Sequence, residues 1–341
     1  MKAPLLAALL LTAGVSTVAV AQQQPQFTHY GLNGMYLNPA YAGIKGYGEF
    51  NVIGRYQYLN LAGYPGDANG SPRTAMLSAS LPILALKGGV GLSLYRDLAG
   101  EKRLTNAALS YSQHLKMGPG QLGIGLQGVF TYVGAGEFRP IDQNDPLVPL
   151  NDSDYKFDAG VGLWYEAPKF YAGLSTNNLF RSTYTLQSAV RDAQGNITGY
   201  RNTSQFLGEN HAYLTAGYNI DLTSTVVLTP TVIIKAVLPG PFSSESKIFG
   251  ANNYSAEVGA RATLDDRFWV GANYRHEESF SGLFGLSFAK DNAIRLGYAF
   301  DFIAFNRDAR ALSSHELLLT YRLPRPTLFV RPAIRTPRYS F

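Results

Sequence analysis

Histidine, serine and carboxylate side chains would carry any chemistry in this sequence, and their spacing does not favour catalysis. The five histidines never take the His-x-x-x-His spacing that places two imidazoles on one helix face to bind zinc; they are His29, His114, His211, His276 and His315. The sequence has no Gly-x-Ser-x-Gly elbow and no phosphate-binding loop. It also has no cysteine, which excludes disulfides and thiolate metal sites. We therefore predict no catalytic residue, no metal and no cofactor.

Two acidic groupings could bind a ligand, but ordinary structural roles are favoured for both. Residues 141–154 contain Asp142, Asp145, Asp152 and Asp154, but not in the order of a calcium-binding loop, so a solvated loop is favoured. The sequence His276-Glu277-Glu278 ends a strand beside a tight connection, where a surface role is favoured. A lipid hydrolase would need a serine and a histidine brought together from distant positions, and this is the least favoured class of function.

Most of the other charged residues lie in segments where apolar and polar residues alternate. Such alternation predicts β-strands, which would hold these side chains in place. In residues 292–302, Ile294, Leu296 and Tyr298 point to one face and Arg295 and Asp301 to the other. A membrane barrel has lipid on the apolar face and a polar lumen. The alternation predicts these lumenal charges: Arg55, Lys156, Asp158, Glu166, Glu257, Arg261, Arg275, Arg295, Asp301, Glu316 and Arg322. Their mixed signs suggest internal ion pairs that hold a plug, although a solvated wall is an equal alternative.

Fourteen such segments occur, which predicts an all-β protein, a closed antiparallel transmembrane β-barrel of about fourteen strands. Most are 10–14 residues long, against about 5–6 for an ordinary globular strand. The predicted strands are residues 47–60, 73–83, 87–97, 103–115, 120–133, 155–167, 169–178, 209–220, 225–237, 253–264, 267–277, 280–289, 292–303 and 314–323. Strand 225–237 is apolar on both faces, which predicts that a loop or the N-terminal segment packs against it in the lumen.

The connections differ in length on the two sides of the predicted barrel. Those after even-numbered strands are short, and most of those after odd-numbered strands are long, including residues 61–72, 134–154 and 179–208. Outer-membrane barrels have short periplasmic turns and long external loops. We therefore expect an outer-membrane protein with both chain ends in the periplasm.

The two ends of the chain differ from the barrel in composition. Residues 1–21 have a lysine, an apolar run and an Ala-x-Ala ending, which predicts a secretory signal peptide. Residues 22–46 have no regular period and are expected to form a plug or a periplasmic segment ahead of the barrel, which we place at residues 47–323. Residues 324–341 are rich in proline and arginine and predict a basic periplasmic tail.

Motifs at both ends resemble those of a known family. The stretch Gln24-Pro25-Gln26-Phe27-Thr28-His29-Tyr30, followed by Asn38-Pro39-Ala40-Tyr41-Ala42-Gly43, resembles the opening of the PorP/SprF-type outer-membrane proteins of the Bacteroidota. His211 to Tyr218 is similar to an internal strand motif of that family. The C-terminal residues Arg335, Pro337, Arg338, Tyr339 and Phe341 are similar to its Pro-Arg-aromatic terminus, with Ser340 inserted.

The resemblance implies a barrel of the type IX secretion and gliding machinery. It implies partners of two kinds: a secreted cargo such as a surface adhesin with a type B C-terminal domain, and periplasmic or outer-membrane lipoprotein components of the system. It also implies that the two terminal motifs are candidate partner-binding or plug residues. We favour a non-enzymatic protein that binds, exports or anchors a cargo. The alternative is an outer-membrane porin or solute transporter, and nothing in the sequence predicts nucleic-acid binding.

Overall fold

The computed structural model describes residues 24–59, 70–100, 102–135, 152–192, 196–238, 254–305 and 313–326. The predicted signal peptide and the motif at Arg335–Phe341 lie outside these ranges, as do Asp142 and Asp145. None of the helices in the described ranges is long and apolar enough to cross a membrane.

Strands make up most of the described chain. In chain order they are β1 (Glu49–Tyr56), β2 (Arg73–Ile83), β3 (Gly88–Ala99), β4 (Lys102–Met117), β5 (Gly120–Ala135), β6 (Ser153–Glu166), β7 (Phe170–Asn177), β8 (Thr183–Arg191), β9 (Ile197–Leu207), β10 (Asn210–Tyr218), β11 (Ile220–Asp221), β12 (Val226–Leu238), β13 (Tyr254–Leu264), β14 (Phe268–Arg275), β15 (Ser279–Phe288), β16 (Ile294–Ile303) and β17 (Ser313–Arg322).

Fourteen of these strands form one closed antiparallel barrel, as the sequence predicts. Each pairs with its neighbour along the chain, β17 pairs with β1, and β10 pairs with both β7 and β12. The short strand β11 pairs with β12 in the same register as β10 does, so it is a continuation of β10 and not a fifteenth barrel strand. Closure leaves no exposed barrel edge, which a lipid environment requires.

Alternation along the barrel strands separates an apolar exterior from a polar interior. In β16, Leu296, Phe300 and Phe302 are exposed, whereas Arg295 and Asp301, at alternate positions of the strand, are buried. Leu296 lies opposite Leu319 of β17 and Leu286 of β15, which continues the apolar surface across three strands. The alternating apolar residues therefore face outward and the polar residues face the lumen, as the sequence predicts.

One predicted connection is wrong in part. Residues 179–208 were expected to form a long loop, but they contain the hairpin β8–β9, which pairs separately from the barrel. Its strands, TYTLQSAVR and ITGYRNTSQFL, are rich in β-branched and aromatic residues. Tyr184 and Leu186 of this hairpin are buried, so one of its faces packs onto the barrel.

The chain ahead of β1 forms three short helical turns instead of a strand. They are a 3₁₀ turn at Tyr30–Leu32, the four-residue helix α1 at Gly34–Leu37 and a second 3₁₀ turn at Pro39–Tyr41. We call residues 24–46 the N-terminal segment. Its hydrophobic side chains form four buried clusters with inward-facing side chains of the barrel, so the core of this protein lies in the lumen.

Candidate functional site

The N-terminal segment runs along the inside of the barrel between its two ends. Gln24 accepts a hydrogen bond from the Tyr213 hydroxyl and lines a small cavity together with Tyr95 and Asn106, near the end of the barrel with the long connections. Gly43 lies against Pro82 and Gly89, at the end with the short turns where β1 begins. The segment therefore spans most of the height of the lumen.

Hydrogen bonds tie the segment to strands on different sides of the ring. They join the Thr28 amide to Glu316 of β17 at 2.8 Å, the Tyr30 hydroxyl to Thr231 of β12 at 2.8 Å, the Ser175 hydroxyl of β7 to the Leu37 carbonyl at 2.6 Å, and the Gly43 amide to Ser80 of β2 at 2.8 Å. In addition, Tyr30 and Leu37 pack against Ile233 of β12, the strand whose apolar inner face predicted a packing partner in the lumen.

Asn38 positions the motif Asn38–Gly43. Its side-chain oxygen accepts a hydrogen bond from the Ala40 amide at 2.9 Å and caps the 3₁₀ turn that Pro39 begins. Its side-chain nitrogen donates to the carbonyls of Leu163 at 2.8 Å and Leu174 at 3.1 Å, on β6 and β7. One amide therefore both starts the turn and attaches it to the barrel wall.

Glycines on the facing strands let this motif approach the wall closely. A Cβ atom at Gly125 of β5 would lie 2.2 Å from the Ala40 amide nitrogen, and one at Gly162 of β6 would lie 2.0 Å from the Asn38 side-chain oxygen. Both positions need glycine because no side chain fits between the motif and the strand. The glycine-rich inner face of β5 and β6 is thus a groove for the motif.

Aromatic and charged groups pack around the end of the motif. The Tyr41 ring meets Trp164 edge to face with centroids 5.1 Å apart, and Trp164 stacks on Tyr171 at 5.4 Å. Glu166 accepts hydrogen bonds from the Trp164 indole at 2.9 Å and from Lys45 at 2.6 Å. Burial, with Glu49 nearby, raises the pKa of the Tyr41 hydroxyl well above its usual range, so this hydroxyl stays neutral and donates to Glu49.

A buried ionic cluster holds the start of the segment. Arg55 of β1 pairs with Asp301 at 2.5 Å and with Glu316 at 3.0 Å, and all three side chains are 1% exposed. Thr28 donates its hydroxyl to Asp301 at 2.7 Å. Glu316 accepts from the His29 amide at 2.9 Å and contacts the His29 imidazole at 2.8 Å. The two carboxylates are therefore shared between a barrel arginine and the N-terminal segment.

A second buried cluster lies beside the first. Arg275 of β14 pairs with Glu257 of β13 at 2.8 Å and with Glu278 at 3.0 Å. Asn273 donates to Glu257 at 2.8 Å and to the Thr28 carbonyl at 3.3 Å, which links this cluster to the same part of the segment.

The other predicted lumenal charges lie at inward-pointing positions but take separate partners. Arg295 pairs with Asp266 at 2.6 Å, Arg322 with Glu49 at 3.3 Å and Lys156 with Asp154 at 2.8 Å. The Asp158 carboxylate accepts from the Phe180 amide at 3.0 Å. Arg261 forms no ion pair with any residue in the described ranges.

Sequence reasoning missed several residues of the site. Glu49 and Lys235 point into the lumen. Thr28 and His29 lie inside the Gln24–Tyr30 motif, but their contacts with the ionic cluster were not predicted. Glu49 is two residues before Asn51 and six before Arg55, so all three share one face of β1, and this spacing could have predicted that Glu49 is lumenal. Nothing in the sequence pairs Thr28 and His29 with acidic residues almost 300 positions away.

The described residues contain no cluster of His, Cys, Asp or Glu that could hold a metal ion. Asp152 and Asp154, from the predicted acidic loop, accept hydrogen bonds from backbone amides of β8, at Gln187 and Thr185. These carboxylates therefore satisfy backbone N–H groups on the edge of the hairpin that faces them.

A comparison with solved structures aligns this chain with outer-membrane barrels of very different sequence. The toluene transporter TodX of Pseudomonas putida is 10% identical over 85% of this chain and 94% of its own, with a TM-score of 0.48. Omp33 of Acinetobacter baumannii is 11% identical over 81% and 99%, with a TM-score of 0.40. A FadL homologue of Pseudomonas aeruginosa is 11% identical over 81% and 89%, with a TM-score of 0.41. No curated protein sequence matches significantly.

The sequence profile of one protein family matches residues 19–321, nearly the whole chain. That family is described as the type IX secretion system membrane protein PorP/SprF. The match includes the N-terminal segment as well as all fourteen barrel strands. This chain therefore belongs to the PorP/SprF family of type IX secretion system membrane proteins.

Proposed function

We propose that this protein is a non-enzymatic outer-membrane barrel of the type IX secretion and gliding machinery that binds a secreted cargo protein and helps to export it or anchor it at the cell surface. The observation that carries the proposal is the family match across residues 19–321, which includes the segment inside the lumen. The cargo that we favour is a surface adhesin with a type B C-terminal domain, and the further partners are lipoprotein components of the same system.

The orientation in this proposal has the short turns in the periplasm and the long connections outside. β1 then starts and β17 ends on the periplasmic side, and the basic residues 324–341 extend into the periplasm as a partner-binding tail. The N-terminal segment acts as a plug that starts near the outer end of the lumen at Gln24 and descends to the start of β1. Its first described residue is therefore at the outer end, not on the periplasmic side that the sequence predicted for the N-terminus. In this arrangement the partners bind at the two ends of the barrel and not in its interior.

A porin or solute transporter is the alternative function. The buried contacts of the N-terminal segment with β2, β7, β12 and β17 support the plugged barrel over an open channel. The conductance of the purified, full-length barrel in lipid bilayers distinguishes a plugged barrel from an open porin. A plugged barrel gives no steady open-pore current, whereas a porin conducts without added partner.

The proposed cargo role is tested by purification and by deletion. The tagged barrel is extracted from the outer membrane in mild detergent, and we expect at least one exported protein to co-purify with it and not with an unrelated barrel of equal abundance. Deleting the gene should abolish surface display of that same protein. Normal export and display of every type IX cargo in the deletion strain would contradict the proposal.

A further inference from the structure

Three charged side chains point outward from the fourteen barrel strands in the described ranges, and all three are arginines. They are Arg73 of β2, Arg96 of β3 and Arg103 of β4. Every other charged residue of these strands has the inward parity of its strand, and no acidic residue points outward. An exterior that otherwise excludes charge therefore has three positive charges on three adjacent strands.

The strand register brings the three arginines together. Arg73 lies opposite Leu98 of β3, and Leu98 lies opposite Arg103 of β4. Arg96 lies two residues from Leu98 on the same face of β3. With neighbouring strands about 4.8 Å apart, the Cα atoms of Arg73 and Arg103 are about 10 Å apart, and Arg96 is about 7 Å from the line between them. Three long guanidinium side chains can therefore reach one headgroup.

Their level on the barrel is the rim of the apolar band on the side of the long connections. Arg73 is the first residue of β2 and Arg103 is the second residue of β4, so both lie where these strands meet the long connections. On β3, the outward residues Val90, Leu92 and Leu94 precede Arg96 and extend the apolar band towards the opposite end. Arg73 also lies with its guanidinium 5.2 Å from the centre of the Tyr56 ring, an arrangement common where a barrel meets the headgroup layer.

None of the three arginines forms an ion pair with a described residue. A positive charge on the lipid face destabilises a barrel unless a counter-charge is present, and this effect depends on depth. Guanidinium groups bind phosphate oxygens with two parallel hydrogen bonds, so phosphate is the anion that they suit best in a headgroup layer.

We propose that Arg73, Arg96 and Arg103 form a binding site for the phosphate groups of a membrane lipid in the outer leaflet. The site depends on the orientation with long connections outside, and not on any cargo. Its occupant is a phosphorylated glycolipid headgroup, held on the outer wall at β2–β4. It gives this side of the barrel a fixed lipid neighbour, whereas the remaining described wall is apolar.

The test uses the full-length protein in detergent micelles with purified diphosphoryl lipid A as the probe. Binding is measured by native mass spectrometry for the wild type and for the triple variant R73Q/R96Q/R103Q. Removing three cations near a membrane surface is expected to weaken binding about a hundredfold. The matched control K87Q/K116Q/K290Q removes three exposed cations at the short-turn end and should bind as the wild type does.

Several outcomes would overturn the proposal. Equal binding of lipid A by the wild type and the triple variant would exclude the arginines as the site. Equal binding of dephosphorylated lipid A would show that acyl chains, not phosphates, are recognised. Complete displacement of the lipid by millimolar inorganic phosphate would assign the site to the free ion. A thermal melt of each variant in the same micelles verifies that the barrel is folded, and R73K/R96K/R103K should retain part of the binding if the triple glutamine variant unfolds.

Discussion

Replacing Glu316 with leucine should weaken the attachment of the N-terminal segment to the barrel wall. The Glu316 carboxylate is 1% exposed and has four partners: the backbone amides of Thr28 and His29, the His29 imidazole and Arg55. Leucine has a similar volume but accepts no hydrogen bond. Two buried amides of the segment then have no acceptor, and Arg55 retains only Asp301 and the Thr28 hydroxyl as partners.

The expected cost follows from these losses. A buried donor left without a partner costs about 1–3 kcal/mol, and removing one member of a buried ion pair costs about 3–5 kcal/mol. The two effects overlap because they arise from one side chain, so the free energy of unfolding should fall by about 3–5 kcal/mol. E316Q retains one acceptor oxygen and should lose about 1–3 kcal/mol. L317M changes the neighbouring, lipid-facing residue and should cost under about 1.5 kcal/mol.

Tryptophan fluorescence during urea unfolding in phospholipid vesicles measures this directly. The chain has two tryptophans, and both face the lumen: Trp164 contacts Tyr41, and Trp269 belongs to a buried cluster that Leu32 packs against. In E316L the emission should shift to longer wavelength at lower urea than in the wild type. An unfolding free energy for E316L within about 1 kcal/mol of the L317M control would refute the assignment of this cluster as the anchor of the segment.

Three further changes test the motif and the barrel wall, each by the same unfolding measurement. Gly125→Val should cost about 1–3 kcal/mol because its side chain meets Ala40, whereas Gly128→Val, which has open space around it, should be nearly neutral; equal effects would contradict the groove. Asn38→Ala should cost about 1–3 kcal/mol because it removes a helix cap and two hydrogen bonds to the wall, and a neutral result would show that the motif is held elsewhere. Leu296→Arg should cost about 2–4 kcal/mol at mid-membrane, and a cost near zero would show that this face is solvated.

The barrel was predictable from the sequence because its physical signal is repeated in every strand. Leu296 and Arg295 illustrate this signal. Lipid favours an apolar residue on the outer face and the lumen favours a polar residue on the inner face, so the two types alternate along the strand. The hairpin β8–β9 was missed although its strands have the same composition, because it lies within a connection that length alone classified as a loop. Composition of a connection is thus better evidence than its length.

The candidate site was less predictable because its contacts join residues far apart in the chain. The inward parity of Arg55, Asp301 and Glu316 was readable from alternation. These three side chains meet at Thr28 because closure of the barrel brings β1 beside β17. The meeting also depends on the path of the N-terminal segment, which could not be predicted because its sequence has no regular period. The motif Asn38–Gly43 was recognisable only as a resemblance, and its physical role depends on the glycines of β5 and β6 that receive it.

The distribution of charge limits where partners can bind. Arg55, Arg275, Glu257, Asp301 and Glu316 neutralise one another or hold the N-terminal segment, so the middle of the lumen presents no strong site for a translocating chain. Separating buried ion pairs costs several kcal/mol for each, and a partner that displaced the segment would need to replace these contacts at the same positions. A partner that binds at either end of the barrel avoids this cost entirely. The same structure that makes the segment difficult to remove therefore favours the barrel ends as the place where the proposed cargo binds, at the hairpin β8–β9 or the short turns.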